Sequence, residues 1–325
     1  MNVIIFAPCN IVTGGVELAH QLCYELNAYA ESTGADITAK MCYNDISKSF
    51  EDRCRDIPED KDAPDRYAIY NTEHITDRSV IDREDTVLVI PETSSLISYQ
   101  FTRARKVLWW MSVDNYISCT DEKDLDLLAE HFSLHLYQSE YARQYVSDKI
   151  PGAELMPLTD YINLQHGTFL YPGEFRKNLA LYNPKKGLQD LKPLIERTQS
   201  WLQWLPLINL DVEKEILYMQ MARIYVDFGP HPGMDRIPRE AAVNGCCVIT
   251  NRKGSAANDV DVPIPAKYKF EDMTALDDIE KLMHEICDDF TAHQNDFALY
   301  RERIHGEKKR FEQETAAFAE AVCRM

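Results

Sequence analysis

Residues Pro232 to Glu240 read Pro-Gly-Met-Asp-Arg-Ile-Pro-Arg-Glu, a spacing that could hold an anion and a sugar. The apolar run Ala222 to Phe228 precedes them and reads as a buried strand; Ala241 to Gly245 follows as a short helix closed by glycine. A strand, a Gly/Pro loop and Pro238 as first helical residue make an anion-binding turn, because unpaired backbone N–H groups and a helix N-terminus converge there. Arg236 and Arg239 would stand nearby, although Asp235 and Arg236 could instead pair to shape the loop, and Arg239 could face solvent. His231, Gly233 and Met234 complete the loop. Glu240, one turn into the helix, is spaced to accept hydrogen bonds from a ribose. The combination suggests a nucleoside diphosphate and its sugar.

Two further turns carry related chemistry. Asn183-Pro184-Lys185-Lys186-Gly187 follows the apolar stretch Leu179 to Tyr182, and a nucleoside diphosphate leaving group needs a fixed cation for its developing charge. Lys186 is the first choice for that role, with Lys185 second and Asn183 beside them. Near the N-terminus, Thr13-Gly14-Gly15 follows a first apolar run and opens a helix, so Gly14 and Gly15 would let the backbone approach a ligand closely. Glu17 and His20, three apart, can share one face of that helix, though His20 reads equally as a packed histidine. If a reaction here inverts a sugar centre, it needs a general base. Glu92 and Asp114, each after an apolar run, are candidates together with Glu17 and His20. No metal is expected, since Asp259-Val260-Asp261 has a carboxylate spacing but lies in a polar loop.

The elements that must position these residues alternate between strand and helix, which implies an α/β protein with mainly parallel sheets. Strands are expected at 3–7, 37–43, 86–90, 106–111, 134–137, 177–182, 206–210, 222–228 and 246–250. Helices are expected at 16–27, 121–131, 140–147, 188–199, 212–221 and 238–244, with one charged helix from about Arg301 to Arg324. Residues 44–66 are polar and acidic and read as an excursion. The Pro- and Gly-rich passage 151–174 reads as an inter-domain linker. Expected domains are therefore 1–165, 175–305 and a returning C-terminal helix at 306–325.

The chain has 325 residues, enough for two cores, with 45% hydrophobic and 27% charged residues as in globular proteins. No run approaches the ~18 apolar residues of a membrane span, and Met1 to Ala7 reads as a strand rather than a signal peptide. A formal net charge of −18 argues against general nucleic-acid binding and against an electrostatic membrane anchor. The nine cysteines form no C-x-x-C pair and sit mostly in apolar runs, as buried thiols of a cytoplasmic protein do.

The loop 232–240 resembles the donor loop of GT-B glycosyltransferases, whose pattern is Glu-Gly-Phe-Gly-Leu-Pro-x-x-Glu. Gly233 matches the first glycine, Met234 the phenylalanine and Glu240 the second glutamate. Pro232 replaces the first glutamate and Asp235 the second glycine. Residues 182–187 resemble the first turn of the donor domain, where a basic residue before glycine contacts the pyrophosphate. The turn at Gly14 and Gly15, and residues 138–142, resemble cleft-facing turns of the other domain. The resemblance implies two Rossmann-like doubly wound domains facing a central cleft, with a C-terminal helix packing back on the first. It implies transfer of a sugar from a nucleoside-diphosphate sugar to a glycan or lipid-linked acceptor, with no cofactor required and with peripheral membrane association left open. A sugar-nucleotide 2-epimerase on the same scaffold, or a non-catalytic nucleotide- or glycan-binding subunit, stands as an alternative.

Overall fold

The computed structural model describes residues 1–62 and 64–325; of the expected excursion at 44–66, only Ala63 lies outside the described residues. The chain divides into two compact units, one of residues 1–160 with 309–325 and the other of residues 161–308. The boundary near the C-terminus falls inside the last helix.

In the first unit the chain runs β1 (Asn2–Pro8), α1 (Gly14–Thr33), β2 (Thr38–Asn44), α2 (Phe50–Asp56), β3 (Thr86–Pro91) and β4 (Arg105–Trp110). It continues through α3 (Val113–Thr120), α4 (Leu128–His131), β5 (Leu134–Tyr137), α5 (Glu140–Lys149) and β6 (Leu155–Pro157). The six strands lie in the order β2-β1-β3-β4-β5-β6, every neighbouring pair parallel. All six residues of β3 are buried, as a parallel strand covered on both faces must be. Ile4, Phe6, Leu88, Ile90, Leu108 and Trp110 form the centre of this core.

The second unit runs β7 (Lys177–Tyr182), α6 (Leu188–Thr198), β8 (Gln203–Pro206), α7 (Val212–Met221), β9 (Ala222–Asp227), α8 (Arg236–Val243) and β10 (Cys247–Asn251). It closes with β11 (Lys269–Phe270), α9 (Leu276–Asp288), α10 (Phe290–Asn295), α11 (Ala298–His305) and the start of α12 (Glu307–Arg324). Its five parallel strands lie in the order β11-β10-β9-β7-β8. Both sheets are therefore doubly wound: the chain goes one way from β1 to β2 and returns past β1 to β3, and does the same at β7, β8 and β9. Ligands bind at the carboxyl ends of such strands where the winding reverses. In the second unit that place lies between the turn after β7 and the loop after β9.

Several elements differ from the sequence expectations. In place of the helix expected at 121–131, α3 ends at Thr120 and short turns lead to α4 (Leu128–His131); Asp121 and Glu122 both have positive φ (51° and 53°), which breaks the helix. The strand expected at 206–210 ends at Pro206. The excursion folds in part as α2. Gly306 divides the C-terminal helix into α11 and α12, its N–H bonding back to Glu302 and Arg303. Within the first unit α12 is held by Glu314, whose Oε2 accepts from both the amide (2.7 Å) and the hydroxyl (2.6 Å) of Thr159. Among the described residues no helix is long and apolar enough to cross a membrane, and all nine cysteines are free thiols.

Candidate active site

The turn after β7 and the loop after β9 touch through glycines. Gly187 has φ +65°, and a Cβ there would meet the Gly229 amide nitrogen at 2.8 Å; a Cβ on Gly229 would meet that of Lys186 at 2.7 Å. Only glycine allows this approach, which brings the turn that opens α6 against the start of the loop that leads into α8. Asn183 shapes the first turn, its Oδ1 accepting from the Lys185 amide at 3.0 Å. The loop after β9 is pinned from β10: Asn251 Nδ2 donates to Gly229 O (2.8 Å), Ser255 Oγ to Gly233 O (2.6 Å) and the Ser255 amide to His231 O (2.9 Å).

The helix starts at the winding reversal of the second unit differ from the capped ones elsewhere, such as α7 with its Asp211 cap. In the first unit α1, α3 and α5 carry side-chain caps from Thr13, Ser112 and Ser139. In the second, Gly187 before α6 has no side chain to offer, and Asp235 before α8 makes no capping hydrogen bond. Neither helix start is closed by a side-chain cap, and each carries the partial positive charge of a helix N-terminus at the winding reversal. α8 begins at Arg236 rather than at Pro238, which is its third residue.

The Asp235 carboxylate turns inward instead. Its Oδ1 accepts from Lys186 Nζ at 2.6 Å, and its Oδ2 lies 2.8 Å from His231 Nδ1. Lys186 Nζ also donates to Pro230 O at 3.2 Å. His231 Nε2 stands 3.1 Å from Thr250 Oγ1 and 3.8 Å from Asp227 Oδ1. Asp227 accepts from Tyr225 OH (3.0 Å) and the Gly229 amide (3.1 Å). A cavity of about 10 Å³, room for about one water, borders His231, Asp235, Thr250, Ser255 and Asp261. Burial favours neutral His231, but its contact with Asp235 and the charges of Asp227 and Asp235 outweigh this and raise its pKa. Burial raises the Asp227 carboxyl against the opposing pull of His231. Burial also pushes Asp235 up, but His231 and Lys186 together hold it below the usual carboxylate range.

Other expected donor residues fall as follows. Lys185 is exposed beside the turn, and Met234 lines the small cavity. Arg236 Nη2 donates to Tyr161 O at 3.0 Å. Arg239 does not face solvent; it braces the loop from inside. It is 1% exposed, with Nη1 2.8 Å from Glu307 Oε2 and its other nitrogens donating to the carbonyls of Met234 and Asp235. Glu240 is buried, with Oε1 3.9 Å from His166 Nε2.

Among the described residues, two groups have ligand atoms within 4.8 Å of one another, as a cation would require: Asp227–His231–Asp235 and His166–Glu215–Glu240. In the first, the Lys186 ammonium already supplies positive charge beside Asp235. In the second, Asn244 Oδ1 accepts from the Gly167 amide (3.1 Å), which orients its Nδ2 to donate to His166 Nδ1 (2.7 Å). The proton of a neutral His166 then sits on Nε2, giving a donor toward Glu240 rather than a metal lone pair. His166, Glu215 and Asp227 were not singled out by sequence reasoning; of these, Asp227, at a strand end, carried a positional signal.

In the first unit, Gly14 and Gly15 open α1, and Thr13 closes the turn: its Oγ1 accepts from the Val16 amide, and Tyr67 OH bonds both its N–H and its C=O. His20 is fully buried, stacked on Tyr67 with ring centroids 4.9 Å apart and 2.7 Å from Thr72 Oγ1; burial lowers its pKa to about 4. Such a ring packs the core and does not meet a substrate. Glu17 is also buried and accepts from Tyr70 OH at 2.9 Å. Glu92 is 2% exposed; its Oε2 accepts from the Met111 amide at 3.0 Å, and burial pushes its pKa up to about 8. Asp114 alone of the four is partly exposed, accepting from Tyr141 OH at 2.9 Å.

No family model and no curated protein matches this chain. Solved structures do match. Sucrose-phosphate synthase from Thermosynechococcus elongatus superposes with a TM-score of 0.65 over 99% of both chains at 10% identity. Anabaena HepE in complex with UDP-glucose gives 0.63 at 9% identity, over 99% of this chain and 100% of that one. A variant of S. aureus TarM, in complex with fondaparinux, α-GlcNAc-glycerol and UDP, gives 0.58 at 10% identity over 74% of this chain, which spans only 57% of that chain. The fold is GT-B, two Rossmann-like α/β domains, as the donor-loop resemblance implied.

Proposed function

We propose that this protein is a glycosyltransferase that moves a sugar from a nucleoside-diphosphate sugar to a glycan or lipid-linked acceptor. The observation that carries the reading is the pair of helix N-termini at the winding reversal, α6 and α8, without side-chain caps and with Lys186 beside them. An anion accepting from these N–H groups gains from both helix dipoles, and a departing diphosphate gains most as its charge develops. The fold likeness to proteins solved with UDP or UDP-glucose supports the same ligand class.

In this reading the second unit holds the donor. Lys186, Asn183, Lys185 and the loop from His231 to Arg236 surround the diphosphate, and Glu240 accepts from the ribose hydroxyls. The first unit supplies the acceptor face, and Asp114 is the general base of an inverting transfer, since Glu17, His20 and Glu92 are buried. Replacement of the usual first glutamate by Pro232 removes one carboxylate from the sugar, so hydroxyl recognition falls to the remaining loop. The protein would work in the cytoplasm, where nucleotide sugars are made available, and needs no metal for this chemistry.

Isothermal titration with uridine diphosphate tests the donor assignment: binding is expected, and Lys186→Ala should weaken it about tenfold. Transfer of label from UDP-glucose to any glycan acceptor tests the reaction. Absence of binding by every common nucleoside diphosphate would overturn the reading, and so would a Lys186→Ala variant that binds as tightly as the parent.

A further inference from the structure

We propose that His231 sets the net charge that Lys186 presents to a diphosphate, acting through Asp235 as a positioning residue. The inference rests on the donor site proposed above and adds a control element that the GT-B loop pattern does not contain, since Asp235 stands where that pattern has glycine.

The geometry is a chain of charged contacts running from the sheet to the surface. Asp227, at the end of β9, and His231 are buried, with side-chain exposures of 2% each. Asp235 and Lys186 are more open, at 19% and 26%. Asp235 is the shared member, 2.6 Å from the ammonium on one side and 2.8 Å from the imidazole on the other. A carboxylate next to a diphosphate site is unfavourable unless its charge is spent elsewhere. With His231 protonated, two carboxylates face two cations, and Asp235 is divided between them. With His231 neutral, Asp235 acts on Lys186 alone and the cluster carries one net negative charge toward the incoming phosphate.

The surroundings of the ring favour the protonated form. Nδ1 faces Asp235 and Nε2 faces Thr250 Oγ1 with Asp227 beyond, and Tyr225 OH spends its own proton on Asp227. The small cavity beside the ring brings in Arg239, Asp261 and Tyr300; Arg239 is paired with Glu307 and Asp261 accepts from Asn258 Nδ2 at 2.8 Å. The raised pKa of His231 is consistent with this balance. Diphosphate affinity is therefore expected to fall as pH rises through the His231 titration, because the proton lost is the one that frees Lys186 from Asp235.

The test is a double-variant cycle on the whole chain, titrating uridine diphosphate, with uridine monophosphate as control, from mildly acidic to alkaline pH. His231→Gln should weaken diphosphate binding about tenfold at neutral pH and flatten its pH dependence relative to the parent, with a smaller effect on the monophosphate. In a Lys186→Met background the same change should cost almost nothing further, because the cation it modulates is gone. Asp235→Asn, at the more open end of the chain, should flatten the pH profile as well, and it serves if His231→Gln does not fold. Additive losses from His231→Gln and Lys186→Met, or an unchanged pH profile in both His231→Gln and Asp235→Asn, would overturn the inference while leaving the glycosyltransferase reading intact. A parent protein that binds no nucleoside diphosphate would overturn both.

Discussion

Glu92→Gln should make the protein more stable, although it removes a candidate catalytic carboxylate. Glu92 closes β3 with its side chain buried under the start of α3, and burial pushes its pKa from 4.5 to about 8. In the unfolded chain it ionises normally, so folding at neutral pH must take up a proton. Neutrality lies about 2.5 units above the unfolded pKa, and each unit corresponds to about 1.4 kcal/mol, so the penalty approaches roughly 3 kcal/mol. Because the folded pKa is raised, the stability linked to this group is complete below about pH 4.5 and is lost progressively as pH rises toward about 8. A glutamine keeps the shape and an oxygen for the Met111 amide without this penalty. Urea denaturation of parent and variant should therefore show the variant more stable by up to roughly 3 kcal/mol at neutral pH, with the gap closing toward pH ~4.5. A variant that is less stable at neutral pH, or whose advantage does not change with pH, would refute the assignment of a protonated buried carboxyl. Activity provides a second readout: transfer that survives Glu92→Gln leaves Asp114 as the base.

Three other outcomes are expected. Arg239→Met should cost about 3–5 kcal/mol by removing the guanidinium that faces the buried Glu307 carboxylate, and Arg239→Met with Glu307→Met should recover much of that loss in urea denaturation. Gly254→Ala should cost about 3 kcal/mol or more, since φ is +52° and the new Cβ would lie 1.9 Å from His231 O; a melting temperature within a degree or two of the parent would contradict this. Glu240→Gln should narrow the preference for uridine diphosphate over its 2′-deoxy form about tenfold in paired titrations, and an unchanged ratio would remove Glu240 from the ribose.

Most of the fold was legible because buried parallel strands are continuous apolar runs, and β1, β3, β4, β7, β9 and β10 all read that way. The errors lie where local sequence misleads. Asp121 and Glu122 adopt left-handed conformations that neither residue type announces, so the polar segment after them looks helical, while the sequence suggests no element over 113–120, where α3 forms behind its Ser112 cap. Lys186, His231 and Asp235, all named from the sequence, meet in the structure. The site was not legible as a wiring diagram. Arg239 looked like an anion ligand because its partner Glu307 is 68 positions away, and His20 looked chemically available because the tyrosines that enclose it arrive from residues 67 and 70. Partners distant in sequence decide whether a charged side chain serves a ligand or the core.

The Arg239–Glu307 pair also bears on how the second unit could be isolated. A fragment stopped at Gly306 would look natural, since that glycine separates two helices, yet it would take the Glu307 carboxylate away from a guanidinium that is only 1% exposed. A fragment carried one residue further, through Glu307, retains the acid that neutralises it. The place to cut this lobe is set by electrostatics inside α8, not by where the next helix begins.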